Sequence, residues 1–101
     1  MATDTEDRDW QRLDKWLWHA RVAKTRALCA RIVETGGVRV NRLPTDKPHC
    51  KLRQGDVLTF AQGGAERGII RIWRVVALAD RRGPASEARE LFEDLSAQSD
   101  A

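Results

Sequence analysis

The chain has 101 residues and a mass of 11.5 kDa, enough for one small domain with tails rather than two domains. Hydrophobic residues make up 42% and charged residues 33%, and no run approaches the roughly 20 apolar residues that span a bilayer, which excludes a membrane-spanning helix. The net charge of +3 conceals a division: residues 1–11 hold four acids and one Arg, 83–101 hold five acids and one Arg, and 12–82 hold 16 basic against 6 acidic residues. A segment that basic is suited to phosphate, and 14 of the 18 basic residues are Arg, whose planar guanidinium forks onto phosphates and stacks on bases.

Residues 1–9 are expected to be a disordered acidic arm, because they offer nothing to bury. No secretory signal is read in the polar residues 1–12, and Cys29 and Cys50 lack the number and spacing of a disulfide framework. A reducing cytoplasm is therefore the expected location. The first helix is predicted over 10–21, burying Leu13, Trp16, Leu17 and Ala20 and presenting Arg12, Lys15, Trp18 and His19 on its polar side. Residues 22–24 leave room only for a tight turn. A second helix is predicted from an N-cap at Thr25 to a stop at Gly36-Gly37, with Leu28, Cys29, Ile32 and Val33 as its buried stripe.

The period then changes from 3.6 to 2. Val38-Arg39-Val40 reads as a strand and Asn41-Arg42 as a turn. Pro44 and Pro48 make 43–51 loop or edge strand, and Gln54-Gly55-Asp56 is a second turn leading to a strand over 57–61. Residues 62–68 read as a glycine-rich loop and 69–78 as the longest strand. Arg71 and Arg74 stand on opposite faces of a regular strand, which implies either a bulge or a sheet face open to solvent. Pro84 suits the first turn of a short acidic helix with Ala88, Leu91, Phe92 and Leu95 as its apolar stripe, followed by a disordered end over 96–101. That helix is read as folding back on the sheet; masking of the basic face is the alternative. The whole is an α+β chain: two helices packed on a small, mainly antiparallel sheet, with a short C-terminal helix. It divides into an arm (1–9), a basic domain (10–82) and an acidic helix with its tail (83–101).

From 12 to 53 there are 11 basic residues against only Asp14, Glu34 and Asp46, whereas a merely solvated face mixes both signs. Arg12, Lys15, Arg21, Lys24, Arg26 and Arg31 must crowd the helix faces that do not enter the core, and the backbone N–H groups that open the second helix at Thr25 add a further anion-binding end. Trp16 is placed in the core and Trp18 is read as packing rather than stacking on a base; for Trp73 packing and exposure both stay open. Catalysis finds no support: Ser86, Ser96 and Ser99 have no base nearby in sequence. His19, Cys29, His49 and Cys50 fit no metal-ligand spacing, and no phosphate-binding glycine loop is present, so neither cofactor nor metal is expected.

Three stretches carry a resemblance: Arg12-Leu13-Asp14-Lys15-Trp16-Leu17-Trp18, Lys24-Thr25-Arg26, and Gly36-Gly37-Val38-Arg39-Val40-Asn41. Together they resemble the RNA-binding domain of ribosomal protein S-four type. The segment Arg81-Arg82-Gly83-Pro84-Ala85-Ser86-Glu87-Ala88 is similar to one in the bacterial ribosome-associated fifteen-kilodalton heat-shock protein family, and the likeness spans about residues 10–95. The resemblance implies RNA held on the helix pair and the adjoining strand by Arg12, Lys15, Lys24, Thr25, Arg26, Arg31, Arg39 and Asn41. Arg21 joins them on charge, and Arg42 adds a cation where many such domains have Gly. The family's longer basic tail is not seen in this sequence.

The function so implied is non-enzymatic binding of ribosomal RNA on free large subunits that carry peptidyl-tRNA, in recycling after aborted translation. The chain is expected to act as a cytoplasmic monomer without a membrane partner. An RNA-targeting module for a modifying enzyme such as a pseudouridine synthase is the rival reading. Specific DNA reading is disfavoured, because the second helix offers chiefly Arg31 and Glu34 where groove recognition needs a cluster, which leaves only non-specific DNA contact.

Overall fold

The computed structural model describes residues 9–62 and 69–96. In chain order these form β1 (Trp10–Arg12), α1 (Leu13–His19), α2 (Arg26–Glu34), β2 (Val38–Val40), β3 (Leu43–Thr45), β4 (Lys51–Arg53), β5 (Val57–Gln62), β6 (Ile69–Val75), α3 (Ala85–Ala88), a 3-10 turn (Arg89–Leu91) and β7 (Phe92–Asp94). Strands β3-β2-β5-β6-β7 make one antiparallel sheet, and β1 pairs with β4 in a separate ribbon. The α+β architecture read from the sequence, two helices on a small antiparallel sheet with a short C-terminal helix, is the one observed. No described helix is long and apolar enough to cross a membrane.

The first helix starts later and ends earlier than its periodicity suggests. Trp10, Gln11 and Arg12 pair with Arg53, Leu52 and Lys51, and this long-range pairing overrides three residues of helical pattern. The opening N–H groups of α1 then find acceptors outside the helix: Leu13 N–H donates to the Cys50 carbonyl at 2.9 Å and Asp14 N–H to the Pro48 carbonyl at 3.0 Å. At the other end, Arg21 N–H donates to the Trp18 carbonyl and Val22 N–H to the Leu17 carbonyl, a closing pair of bonds that puts Arg21 at φ 64. α2 closes through the equivalent bonds, but with Gly36 (φ 82) in the left-handed position, as its sequence predicts. The Thr25 side chain accepts from Leu28 N–H at 3.1 Å, so it caps α2 as expected.

Inward-facing Val38, Leu58, Phe60, Trp73 and Val75 of the sheet bury against Leu13, Trp16, Leu17 and Ala20 of α1 and its end, and against Cys29 and Val33 of α2. Burial pushes the Cys29 thiol up to about 11. Trp16 is completely buried and satisfies its indole N–H on the Ala77 carbonyl at 2.9 Å. Trp73 resolves as a packing residue, edge-on to Phe60 and stacked on Phe92. The register of β5 and β6 runs without a bulge from Val57↔Arg74 to Gln62↔Ile69. Arg71 therefore shares the inner face with Trp73, while Arg74 stands on an outer face that no helix covers.

Several expectations need correction. His19, assigned to the polar side, is 1% exposed, because the segment after β6 closes over that side of α1. Leu28, assigned to the core, is 45% exposed: it lies in the first turn of α2, beyond the edge of the sheet-covered layer. The stretch 43–51, read as loop or edge strand, holds the edge strand β3 and the first residue of β4, which runs on to Arg53. The terminal stripe is helical only over Ala85–Ala88, and Phe92–Asp94 pairs with β6 as the final strand. Its helical spacing coincides with a strand in which Phe92 turns inward onto Trp73. The acidic arm over 1–8, most of the glycine-rich loop (63–68) and the tail over 97–101 lie outside the described residues.

Candidate nucleic-acid interface

A carboxylate organises the basic face. Asp14 stands in the first turn of α1, where the helix dipole favours a negative charge, and its side chain is only 6% exposed. Arg12 donates to it through Nε and Nη2 at 3.1 and 3.2 Å, and Arg26, at the start of α2, donates through Nε at 3.4 Å. The two arginine side chains stay 47% and 42% exposed. One buried acid thus holds two arginines from different elements, while most of their N–H groups face outward.

Lys24 and Thr25 are exposed on the turn that leads directly into Arg26, and Lys15 is half-buried one residue beyond Asp14. Arg31 is exposed in the last turn of α2, and Arg39 projects from the outer face of β2. Arg42 is exposed in the two-residue β2–β3 turn, where Asn41 and Arg42 both have positive φ, 51 and 73. Asn41 is less available than its place in the motif implies. Its amide donates to Asp56 at 3.0 Å and its carbonyl oxygen accepts from Val57 N–H at 2.9 Å, so it clasps this turn to the next one. Thr25 likewise spends its acceptor on the cap. Arg21 leaves the group: its Nε donates to the Gly83 carbonyl at 2.8 Å, toward the C-terminal segment.

Two supporting residues were not singled out by charge counting. Asp14 counts only as a scarce acid in the sequence, and its partner Arg26 lies twelve positions away. Arg82 lies over the Trp18 ring and donates to the Trp18 and Ala23 carbonyls at 3.1 and 3.4 Å, which fixes the α1–α2 turn from below. Its signal was the Arg81-Arg82-Gly83-Pro84 segment. Behind this face, burial lowers the pKa of His19, the charges of Lys15 and Arg26 lower it further, and a bond to the Ala79 backbone only partly opposes them. His19 Nδ1 has no hydrogen-bond partner. No grouping of three potential metal ligands occurs among the described residues.

An interface of this kind, with paired helices carrying cations beside a cationic hairpin, coincides with the S4 domain, whose family model matches residues 11–58. The chain is an S4-domain protein. Among curated proteins, Heat shock protein 15 of Escherichia coli K12 is 45% identical over 85 residues, 84% of this chain and 60% of that protein. The Heat shock protein 15 homolog of Aeromonas salmonicida is 35% identical over 97 residues, 96% of this chain and 70% of that protein. The solved trimeric structure of Vibrio cholerae Heat Shock Protein 15 matches with a TM-score of 0.78 and 33% identity, covering 90% of this chain and 87% of that one. The chain belongs to the heat shock protein 15 family, and it spans 60% of the length of its Escherichia coli relative.

Proposed function

We propose that this protein binds structured ribosomal RNA through the helix pair and the β2–β3 hairpin, without catalysing a reaction. The observation that carries the reading is the pair Arg12 and Arg26, tethered on a buried Asp14 with their outer N–H groups free to meet phosphate. Recognition of this kind rests on RNA shape and phosphate position more than on base edges. Lys15, Lys24, Arg31, Arg39 and Arg42 extend the contact, and Asn41 and Thr25 support it by holding the turns.

Within the cell the partner is the free large ribosomal subunit carrying peptidyl-tRNA, and the role is its recycling after translation aborts. Membership in the heat shock protein 15 family supports this reading. Co-sedimentation with separated ribosomal particles across a salt series tests it. Stoichiometric binding to large subunits, strongest with peptidyl-tRNA and falling steeply with salt, is the expected result. Equal, weak binding to every RNA offered would leave a generic cationic binder and remove the ribosomal role. Analytical ultracentrifugation sets the monomer expected from the sequence against the trimer described for the Vibrio cholerae relative.

A further inference from the structure

A second concentration of arginine lies beyond the α1–α2 turn, formed by residues far apart in the chain. Arg21, Arg71 and Arg89 line one open groove of about 640 Å³, between the end of α1, the inner face of β6 and the α3–β7 segment. Sites that hold small organic ligands have roughly 300–1,000 Å³. Asp94 also lines the groove, 3.9 Å from Arg71. The stacked rings of Trp73 and Phe92 supply an apolar part of the wall.

Two of these cations, Arg21 and Arg89, differ from their neighbours in what holds them. Arg74 and Arg81 meet Glu93 and Glu87 at 2.8 and 3.4 Å. Arg21, by contrast, spends only Nε, on the Gly83 carbonyl, and its two terminal nitrogens bond to nothing among the described residues. The Arg89 side chain, exposed, makes neither a hydrogen bond nor an ion pair there. Arg21 also occupies the left-handed position that α2 gives to Gly36, a conformation that disfavours any side chain. Arg71 projects from the strand face that buries Trp73 and Val75, which holds its guanidinium at the groove. Trp73 is 6% exposed, and its indole N–H has no hydrogen-bond partner.

We infer that this groove binds a phosphodiester segment of RNA, with Arg21 and Arg89 taking phosphate oxygens and the Trp73–Phe92 wall taking sugar and base edges. The inference rests on the RNA reading above and extends it to a second contact on the same nucleic acid.

The test uses the full chain and a fluorescent RNA hairpin with a single-stranded extension, titrated by anisotropy over a salt series. Arg89→Glu is expected to bind about tenfold more weakly than Lys47→Glu, which makes the same charge change at an exposed position of the loop before β4. Its plot of log affinity against log salt should be shallower by about 0.7, the value of one phosphate contact on a single strand. Arg89→Lys should recover most of that slope. Arg89→Glu binding like Lys47→Glu, while Arg26→Glu still loses the RNA, overturns the groove and leaves the helix-pair reading intact. A loss in Arg89→Glu with an unchanged slope overturns it too, because no phosphate contact has gone. Arg26→Glu binding like Lys47→Glu removes the helix-pair reading and the groove with it.

Discussion

The helix-pair face and the region around the C-terminal segment are both rich in arginine, and they treat it in opposite ways. Beside the C-terminal segment Arg74 meets Glu93 at 2.8 Å, Arg81 meets Glu87 at 3.4 Å and Arg71 meets Asp94 at 3.9 Å. At the helix pair a single buried carboxylate serves both Arg12 and Arg26. One region cancels three of its arginines pair by pair, though not Arg89; the other uses an acid to aim charge outward. The acidic C-terminal segment therefore quenches arginines of its own neighbourhood, and the reading in which it masks the basic helices loses its geometric basis. Local sign counting along the sequence does not distinguish these outcomes, because, Arg12 and Asp14 apart, the partners lie 6 to 23 positions from each other.

The sharpest way to break this contrast is Arg26→Glu. It should lower RNA affinity on the order of a hundredfold, about 3 kcal/mol, with the fold intact by circular dichroism. Asp14→Asn is more discriminating. Net charge alone predicts tighter binding to RNA, whereas loss of the tether predicts binding about tenfold weaker, ~1.4 kcal/mol, and we expect the weaker binding in filter-binding assays.

Stability should also fall on acidification. With its folded pKa lowered, His19 contributes stability that is complete above its ordinary value of 6.5 and lost as pH falls below that toward the folded value. Urea titrations between pH 7 and 5 should show the decline, and His19→Gln should flatten it. Arg42→Gly should stabilise the fold by about 1 kcal/mol, since φ 73 suits glycine, while weakening RNA binding. A gain in thermal midpoint without a loss of affinity would remove Arg42 from the interface. The smallest effect belongs to Glu93→Gln: its pair with Arg74 is nearly half exposed on both sides, so the expected cost is below ~1 kcal/mol and RNA affinity should not change.

Much of this molecule is legible in the chain because its signals are local. Leu13, Trp16 and Leu17 repeat at helical spacing, Thr25 and Gly36 punctuate α2, and Asn41-Arg42 marks a hairpin. β1 is a three-residue strand with no alternation to declare it, β4 alternates only as Lys51-Leu52-Arg53, and each is paired by the other alone among the described residues. Phe92 and Leu95 fit a helix and a strand equally well, and the strand wins because β6 offers an open edge and Trp73 a ring to cover. The cations of the candidate site could be counted in advance. That one acid also aims Arg26, and that a carbonyl draws Arg21 away, depended on contacts between distant segments.

The position of Pro44 has a consequence for how this protein behaves in crowded solution. A two-residue hairpin makes Val40 and Leu43 the hydrogen-bonded pair, so Arg39↔Pro44 is a pair whose N–H positions point away from each other. The missing amide of Pro44 thus costs the sheet nothing and deprives its free edge of an outward donor. The opposite edge, β7, is three residues long and carries Glu93 and Asp94. Leu43 is 71% exposed beside that first edge, and without the proline it would offer a passing chain both grease and a strand to zip onto. Among the described residues the five-stranded sheet thus offers a passing chain no long, unbroken edge on either side.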